Sequence, residues 1–465
     1  MELVTKADLH VHSKYSKKPS QWVLQKIGCA ESYTDPLQIY RTLREKGMDL
    51  ITITDHNTLE GSLEIAHLPG VFVSEEISAY FPEDRCEVHV LAYDITEAQH
   101  RDIQKCRENV FDLAEYLCGF EICHSLAHPL FPVNDKLTKA HFEQLLLLFK
   151  NFEINGIRDE SLNSNLRAIL EMLMPEDIRR LEDKHGRCAL YPQAWRKNLT
   201  GGSDDHSSLN IARTHTVLPG QHGVQDFLRG IDQGLSRAVG KVSTPQTLSH
   251  NLYSIAYQFF KQKFSLERYV HKDMLLKFID RNLDPGHKEE PTWLDSLHAL
   301  WSDCIRPRAW SISRNNPPEQ FQDLLRYETA KLIWNDPQLL EIIRSSGSGR
   351  DGLGKAWFAF VNQSANKVLK HSADQMLRKV AQGSIFDIFH FLGSTGSLYA
   401  ILMPCFVSYA VFAQDRKFSR NMREGFASDQ GLADKTKAAP RVAHFTDTFY
   451  EVNGVALTLQ QQVAL

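Results

Sequence analysis

Eight residues in the first half of the chain have the types and spacing of metal ligands. His10 and His12 form an HxH pair in Asp8-Leu9-His10-Val11-His12. Downstream come His56 in Thr54-Asp55-His56-Asn57, then Glu76, His89, His128 before Pro129, and Asp204 and His206 in Ser203-Asp204-Asp205-His206. If His10 and His12 lie on a strand, the two-residue period points both imidazoles to one side. Imidazole and carboxylate together suit first-row ions such as manganese, iron or zinc. Ions held this way acidify bound water and offset charge on a phosphoryl or carbonyl oxygen, so hydrolysis is the chemistry to expect. One HxH is weak, since either histidine can be a satisfied core group. Six histidines and two carboxylates in succession, each at the end of an expected strand, are hard to explain as core residues.

The surrounding sequence supplies elements that can position these groups. Short apolar runs alternate with amphipathic stretches over residues 1–245. Strands are expected at Ala7–Val11, Asp49–Thr54, Val71–Ser74, Glu87–Tyr93, Glu121–Ala127, Phe152–Asn155 and Leu199–Gly201. Helices are expected at Pro36–Lys46, Gln99–Leu117, His141–Phe149 and Asn163–Met172. Such alternation implies a parallel sheet with helical crossovers, whose strand ends converge on one face. Residues 246–413 change character and read as an all-α domain. Within it, Gly396–Ala413 is an uncharged run just short of a membrane span; it reads either as buried helix or as a site of peripheral membrane contact. Residues 414–440 are polar and read as a linker.

Composition narrows the classes. The chain has 465 residues, a net charge of −4 and 24% charged residues. It has no global basic field, so nucleic acid is not the favoured partner. The eight cysteines form no CxxC pair, and the N-terminus lacks an apolar leader; a cytoplasmic location is expected. Fourteen of the 20 histidines fall in the first 250 residues, which divides the chain chemically.

The segments DLHVHSKYS, TITDHNT, the glutamate of EEIS, His89, AHP and GSDDHS occur in one order over residues 1–245. Together they resemble the polymerase and histidinol phosphatase (PHP) family. The resemblance implies a distorted seven-stranded β/α barrel, amidohydrolase-like, with two to three divalent metal ions. His10, His12, Glu76 and Asp204 would hold one ion. Glu76 would bridge to a second ion on His89 and His128, and His56 with His206 would hold a third. Glu76 is preferred over Glu75 because the family's glutamate precedes the apolar position, here Ile77. Asp205 falls at a variable position. Asp8 and Asp55 are expected to orient ligand imidazoles through the second ring nitrogen.

One departure stands out. Relatives carry an aspartate or histidine five or six residues after the HxH pair, where this chain has Lys17 and Lys18. A protonated lysine has no lone pair to give. A dinuclear site is therefore expected, with Lys17 as a fixed charge against phosphate; a carboxylate placed there would restore the third-ion ligand.

The implied activity is that of a phosphoesterase acting on a small phosphorylated metabolite through a metal-bridged hydroxide, with Asp204 accepting the proton. Arg158 and Arg213 read either as forks for the phosphate or as structural ion pairs. The alternatives are a phosphodiesterase or nuclease, and a non-catalytic metal-binding module. Residues 441–465 resemble the opening strand, loop and helix of two-Rossmann-domain retaining glycosyltransferases, through FTDTFYEVNGVA. On that reading the chain is the front part of a PHP–glycosyltransferase fusion, with a truncated Rossmann-like start. The implied partner is a glycosyltransferase or the missing C-terminal domain.

Overall fold

The structure, a computed structural model, describes residues 3–17, 28–270, 274–284, 353–381 and 385–430, with isolated positions between 329 and 337. Of the all-α part expected over 246–413, residues 292–304 and 338–343 lie outside the described residues, as does the glycosyltransferase-like stretch 441–465. By internal contacts the chain divides into two units, residues 1–423 and 424–465.

Among the described residues, nine strands run through the first part: β1 (Val4–Asp8), β2 (Leu50–Ile51), β3 (Ser74–Tyr80), β4 (Glu87–Tyr93), β5 (His124–Leu126), β6 (Asn151–Asn155), β7 (Asn198–Gly202), β8 (Thr214–Pro219) and β9 (Arg237–Gly240). Between them lie α1 (Pro36–Glu45), α2 (Glu60–Ile65), α3 (Glu97–Cys106), α4 (Val110–Gly119), α5 (Lys139–Leu148), α6 (Glu160–Met172), α7 (Pro175–His185) and α8 (Val224–Asp232). The single helix expected over Gln99–Leu117 is two helices. The Asn109 side chain accepts from the Phe111 N–H and starts a new one.

The fold is mixed α/β. The strands form a four-stranded sheet, β2-β1-β8-β9, and a five-stranded sheet, β3-β4-β5-β6-β7. The expected parallel order holds for only part of this. β1 pairs parallel with β2, and β5, β6 and β7 are mutually parallel. β3, β4 and β5 are antiparallel, as are β1, β8 and β9. Residues 81–86 between β3 and β4 are too few for a parallel crossover, which needs about a dozen or more, so the two strands fold back as a hairpin. No continuous ladder closes a barrel among the described residues. Isolated bridges nevertheless join the sheets at two seams, Val11 with Asp205, and Ile51 and His56 with Val71 and Glu76.

The polypeptide just beyond β1 follows the two-residue alternation. Leu9 and Val11 are buried in apolar clusters, the first against Phe72 and Leu218, the second against Ile39 and Ile51. His10 and His12, on the other side, are fully buried in a polar interior.

Beyond residue 244 come α9 (Pro245–Lys263), α10 (Glu267–Val270), α11 (Met274–Leu283), α12 (Leu353–Ala381) and α13 (Ile385–Asp429). Tyr257, Phe278, Trp357 and Phe360 form their core. α9 also packs on the loop after β7: Ser254 Oγ and Gln258 Nε2 donate to the Ser207 carbonyl at 3.0 and 3.1 Å. The linker expected over 414–440 is helical as far as Asp429. Among the described residues, no helix is long and apolar enough to cross a membrane.

Candidate metal centre

The structure brings together the eight residues singled out by type and spacing. His10 and His12 follow β1, His56 follows β2, Glu76 and His89 lie in β3 and β4, His128 follows β5, and Asp204 and His206 follow β7. Two take left-handed backbone: His128 at φ 28° and Asp204 at φ 51°. Neither is glycine, so each is a strained position that its surroundings must hold. Alternation on β3 turns Glu75 away, where it accepts from Gln104 Nε2 at 3.1 Å and lies 2.9 Å from His100 Nδ1.

A first set of four atoms has the size of a coordination shell. His10 Nε2 and His12 Nε2 lie 3.0 Å apart. Each is 3.1 Å from Glu76 Oε2, and they lie 3.4 and 3.5 Å from Asp204 Oδ1. Four ligands at about 2.0–2.1 Å from a tetrahedral ion would stand about 3.3 Å from one another. A second set uses the other oxygen of the same glutamate. Glu76 Oε1 lies 2.9 Å from His89 Nδ1 and 3.2 Å from His128 Nε2. The Glu76 carboxylate thus divides its two oxygens between the two sets.

Neighbouring groups fix which ring nitrogen faces inward. The Ser16 hydroxyl donates to Asp55 Oδ1 at 2.8 Å, so it accepts from His12 Nδ1 at 2.9 Å and turns Nε2 toward Glu76 and Asp204. His206 Nδ1 lies 3.1 Å from the Asp204 carbonyl, which frees Nε2. His10 Nδ1 meets Glu153 Oε1 at 2.8 Å. Asp55 thus acts on His12 through Ser16. Asp8 does not perform its expected task. Instead it accepts from the Ser203 and Ala212 amides at 2.8 and 2.7 Å and ties the end of β1 to the Asp204 loop. Asp205 also faces away from the ligands, accepting from Ser207 Oγ and the Asn210 amide.

The electrostatics favour cations. Glu31, Glu76, Glu153 and Asp204 are buried or nearly so, and every ion pair they make among the described residues is with a histidine. Burial works against ionising Glu76, yet His56, His10 and His89 hold it well below the usual carboxylate range. Asp204 is likewise held low, burial being outweighed by His10 and His12. Burial alone would lower His12, but Asp204 and Glu76 raise it to about 9. Burial and the neighbouring His12 take His206 down to about 4, leaving a neutral ring. The Nε2 of His206, the Nδ1 of His56 and the Oε2 of Glu76 are buried without a hydrogen-bond partner. Buried carboxylates balanced only by histidines, a neutral His206 ring and orphaned ligand atoms fit divalent ions. These buried histidine and glutamate groups can bind metal.

The three cationic candidates make contacts other than with the eight ligand candidates. Arg158 stacks 3.4 Å over the Phe131 ring and pairs with Asp415 of α13 at 3.5 Å. Arg213 donates to the Lys241 carbonyl, Asn210 Oδ1 and the Val242 carbonyl at 3.0, 3.1 and 3.3 Å. Lys17 is exposed and borders a cavity of about 380 Å³ with Lys14, Tyr15, Ser32, Tyr33 and Gln262.

Sequence reasoning missed Glu153 and Glu31. Glu153 lies within β6 on no motif. Glu31 had one signal, being the only acidic residue between Asp8 and Asp35.

No family model matches the chain. Over 72 residues, 16% of this chain, it is 38% identical to an uncharacterized protein of Methanocaldococcus jannaschii, and it spans about 40% of that relative's length. Among solved structures, PsfC from Pseudomonas syringae aligns at 15% identity and a TM-score of 0.34, covering 55% of this chain and 99% of that one. A candidate metal-dependent phosphoesterase from Bifidobacterium adolescentis aligns at 15% identity and a TM-score of 0.25, covering 50% and 96%. Likeness at this level does not fix the fold, and the functional reading rests on the geometry of the site.

Proposed function

We propose that the chain is a metal-dependent phosphoesterase of the PHP type, acting on a small phosphorylated substrate. The observation that carries the reading is the Glu76 carboxylate, with one oxygen facing His10 and His12 and the other facing His89 and His128. A carboxylate so divided is what two adjacent ions require. The mixed imidazole and carboxylate donors suit manganese, iron or zinc. The bridges at the two sheet seams support the further reading of a distorted seven-stranded barrel, β1 to β7 in order, with β8 and β9 appended.

Bound divalent ions would supply acidified water and positive charge for the phosphoryl oxygens. The protein's own part is to place and hold. Asp204 Oδ2 accepts from Asn155 Nδ2 at 2.9 Å, which fixes the carboxylate while Oδ1 faces His10 and His12. Held below the usual carboxylate range, Asp204 is ionised at neutral pH and can accept the proton of the attacking water. No serine or cysteine nucleophile is required.

The test is turnover of a panel of phosphate monoesters by protein loaded with manganese, iron or zinc, beside Asp204→Asn. The expected result is hydrolysis that falls at least about 100-fold in the variant, with the fold retained by circular dichroism. Near-parental turnover by a folded, metal-loaded Asp204→Asn protein would refute the assignment.

A further inference from the structure

We propose that Glu31 is a metal ligand and completes a third site with His56 and His206. The inference rests on the metal-centre reading above and adds a residue outside the motifs that led to it. His56 and His206 alone would leave an ion with two protein ligands, and the lysines at 17 and 18 cannot give a third.

The structure supplies the third ligand from farther along the chain. Glu31 Oε2 lies 3.2 Å from His56 Nε2, and Glu31 Oε1 lies 3.7 Å from His206 Nε2. The short approach to His56 lacks hydrogen-bond geometry: Glu31 Oε2 is buried with no hydrogen-bond partner, as is His206 Nε2. Glu31 Oε2 and His206 Nε2 are thus bare ligand atoms beside His56 Nε2, while the other ring nitrogen of His56, Nδ1, lies 3.2 Å from Glu76 Oε2. Such atoms are costly to bury unless a cation joins them.

The Glu31 backbone is built to stay there. Its N–H donates to the Ser16 carbonyl at 3.1 Å, and the Lys14 N–H donates to the Thr34 carbonyl at 2.9 Å. Ser32 Oγ donates to the His12 carbonyl at 3.2 Å, and the Ala30 N–H donates to Tyr33 Oη at 2.9 Å. These bonds stitch residues 30–34 to the turn after the HxH pair, so Glu31 and His12 belong to one rigid unit. Lys17, by contrast, points over the Tyr15 ring, with Nζ 5.7 Å from its centroid.

The test is metal content of the full-length chain after loading and desalting, together with chelator-competition affinities for each ion. Glu31→Gln keeps the shape and removes the charge; Glu31→His keeps a ligand atom. Lys17→Asp tests the alternative position. Glu31→Gln should lose about one ion per chain, leaving the remaining affinities within about twofold of the parent. Glu31→His should recover the ion, and Lys17→Asp should leave the count unchanged. Equal content and equal affinities in folded Glu31→Gln and parent protein would overturn the assignment while leaving the two-ion centre standing. A third ion gained by Lys17→Asp would also overturn it. Should the parent itself take up no metal, the reading of the whole centre fails, and Glu31 with it. Melting curves and circular dichroism identify a variant that has not folded, and in that case Glu31→Asp, with the same charge on a shorter arm, decides by whether its weakest ion binds more loosely than the parent's.

Discussion

Replacing Glu153 with glutamine should weaken metal binding at two sites at once. Three donors converge on this buried carboxylate. His10 Nδ1 lies 2.8 Å from Oε1, while the His128 N–H and Asn155 Nδ2 each donate to Oε2 at 2.9 Å. A glutamine has one oxygen. If that oxygen faces His10, two donors meet an amide nitrogen. If it faces His128, His10 Nδ1 meets a donor, and the ring is pushed toward the tautomer whose Nε2 carries a proton and cannot ligate. Either orientation orphans at least one buried donor, at a cost of about 1–3 kcal/mol. The lost support for His10 should weaken the ion it ligates by about 10–100-fold, equivalent to about 1.4–2.7 kcal/mol. The second ion should weaken as well, because the Glu153 contact anchors the strained His128 backbone. Chelator competition with zinc or manganese, on protein shown to be folded by circular dichroism, measures both constants. If both stay within about twofold of the parent, Glu153 does not orient the ligands.

Two further outcomes follow from the packing. In Gly202→Ala the new methyl would collide with the His10 side chain and lie 2.7 Å from Glu153 Oε1 and 2.9 Å from the His10 amide nitrogen. Overpacking should cost about 1–3 kcal/mol of stability and lower metal content, whereas Gly119→Ala, with no atom within 4 Å, should leave metal content unchanged; equal metal content in the two variants would count against the close fit. The second concerns acid stability. Burial lowers His250 to about 4, from 6.5, although its Nε2 lies 2.9 Å from the Asn282 carbonyl. The folded value is the lower one, so its contribution is complete above about pH 6.5 and is lost as the pH falls toward 4. It amounts to about 3 kcal/mol. Urea unfolding at several pH values should show a shallower acid loss for His250→Gln than for the parent, and parallel profiles would refute the account.

Much of the candidate centre was legible from residue types and spacing. Asp204 and His206, two residues apart like the HxH pair, were also readable. What could not be read was the support around them. Glu153 reaches His10 across 143 positions of sequence, and Ser16 links His12 to Asp55 across 39. Asp8, adjacent to the motif, was assigned to imidazole support on proximity. The folded chain instead gives its carboxylate backbone donors from the Asp204 loop.

The sequence by itself determined which side chains share a face. Side-chain alternation is a local property of extended backbone, so it set His10 with His12; Glu76 was chosen over Glu75 by the family resemblance, and β3 puts the two on opposite faces. The sequence also placed six of the eight ligand candidates just beyond strand ends, where apolar runs stop and polar residues begin, whereas Glu76 and His89 lie within β3 and β4. Tertiary structure decided the directions of β3, β4, β8 and β9, because strand pairing is a long-range choice that local patterning does not encode. It also decided that α9 braces the loop after β7. Above all it brought in Glu31. A carboxylate carries no periodic signal, and its approach to His56 and His206 depends on how residues 28–35 fold back onto the turn after His12. That return path is set by backbone hydrogen bonds between segments distant in the chain, which only the folded molecule displays.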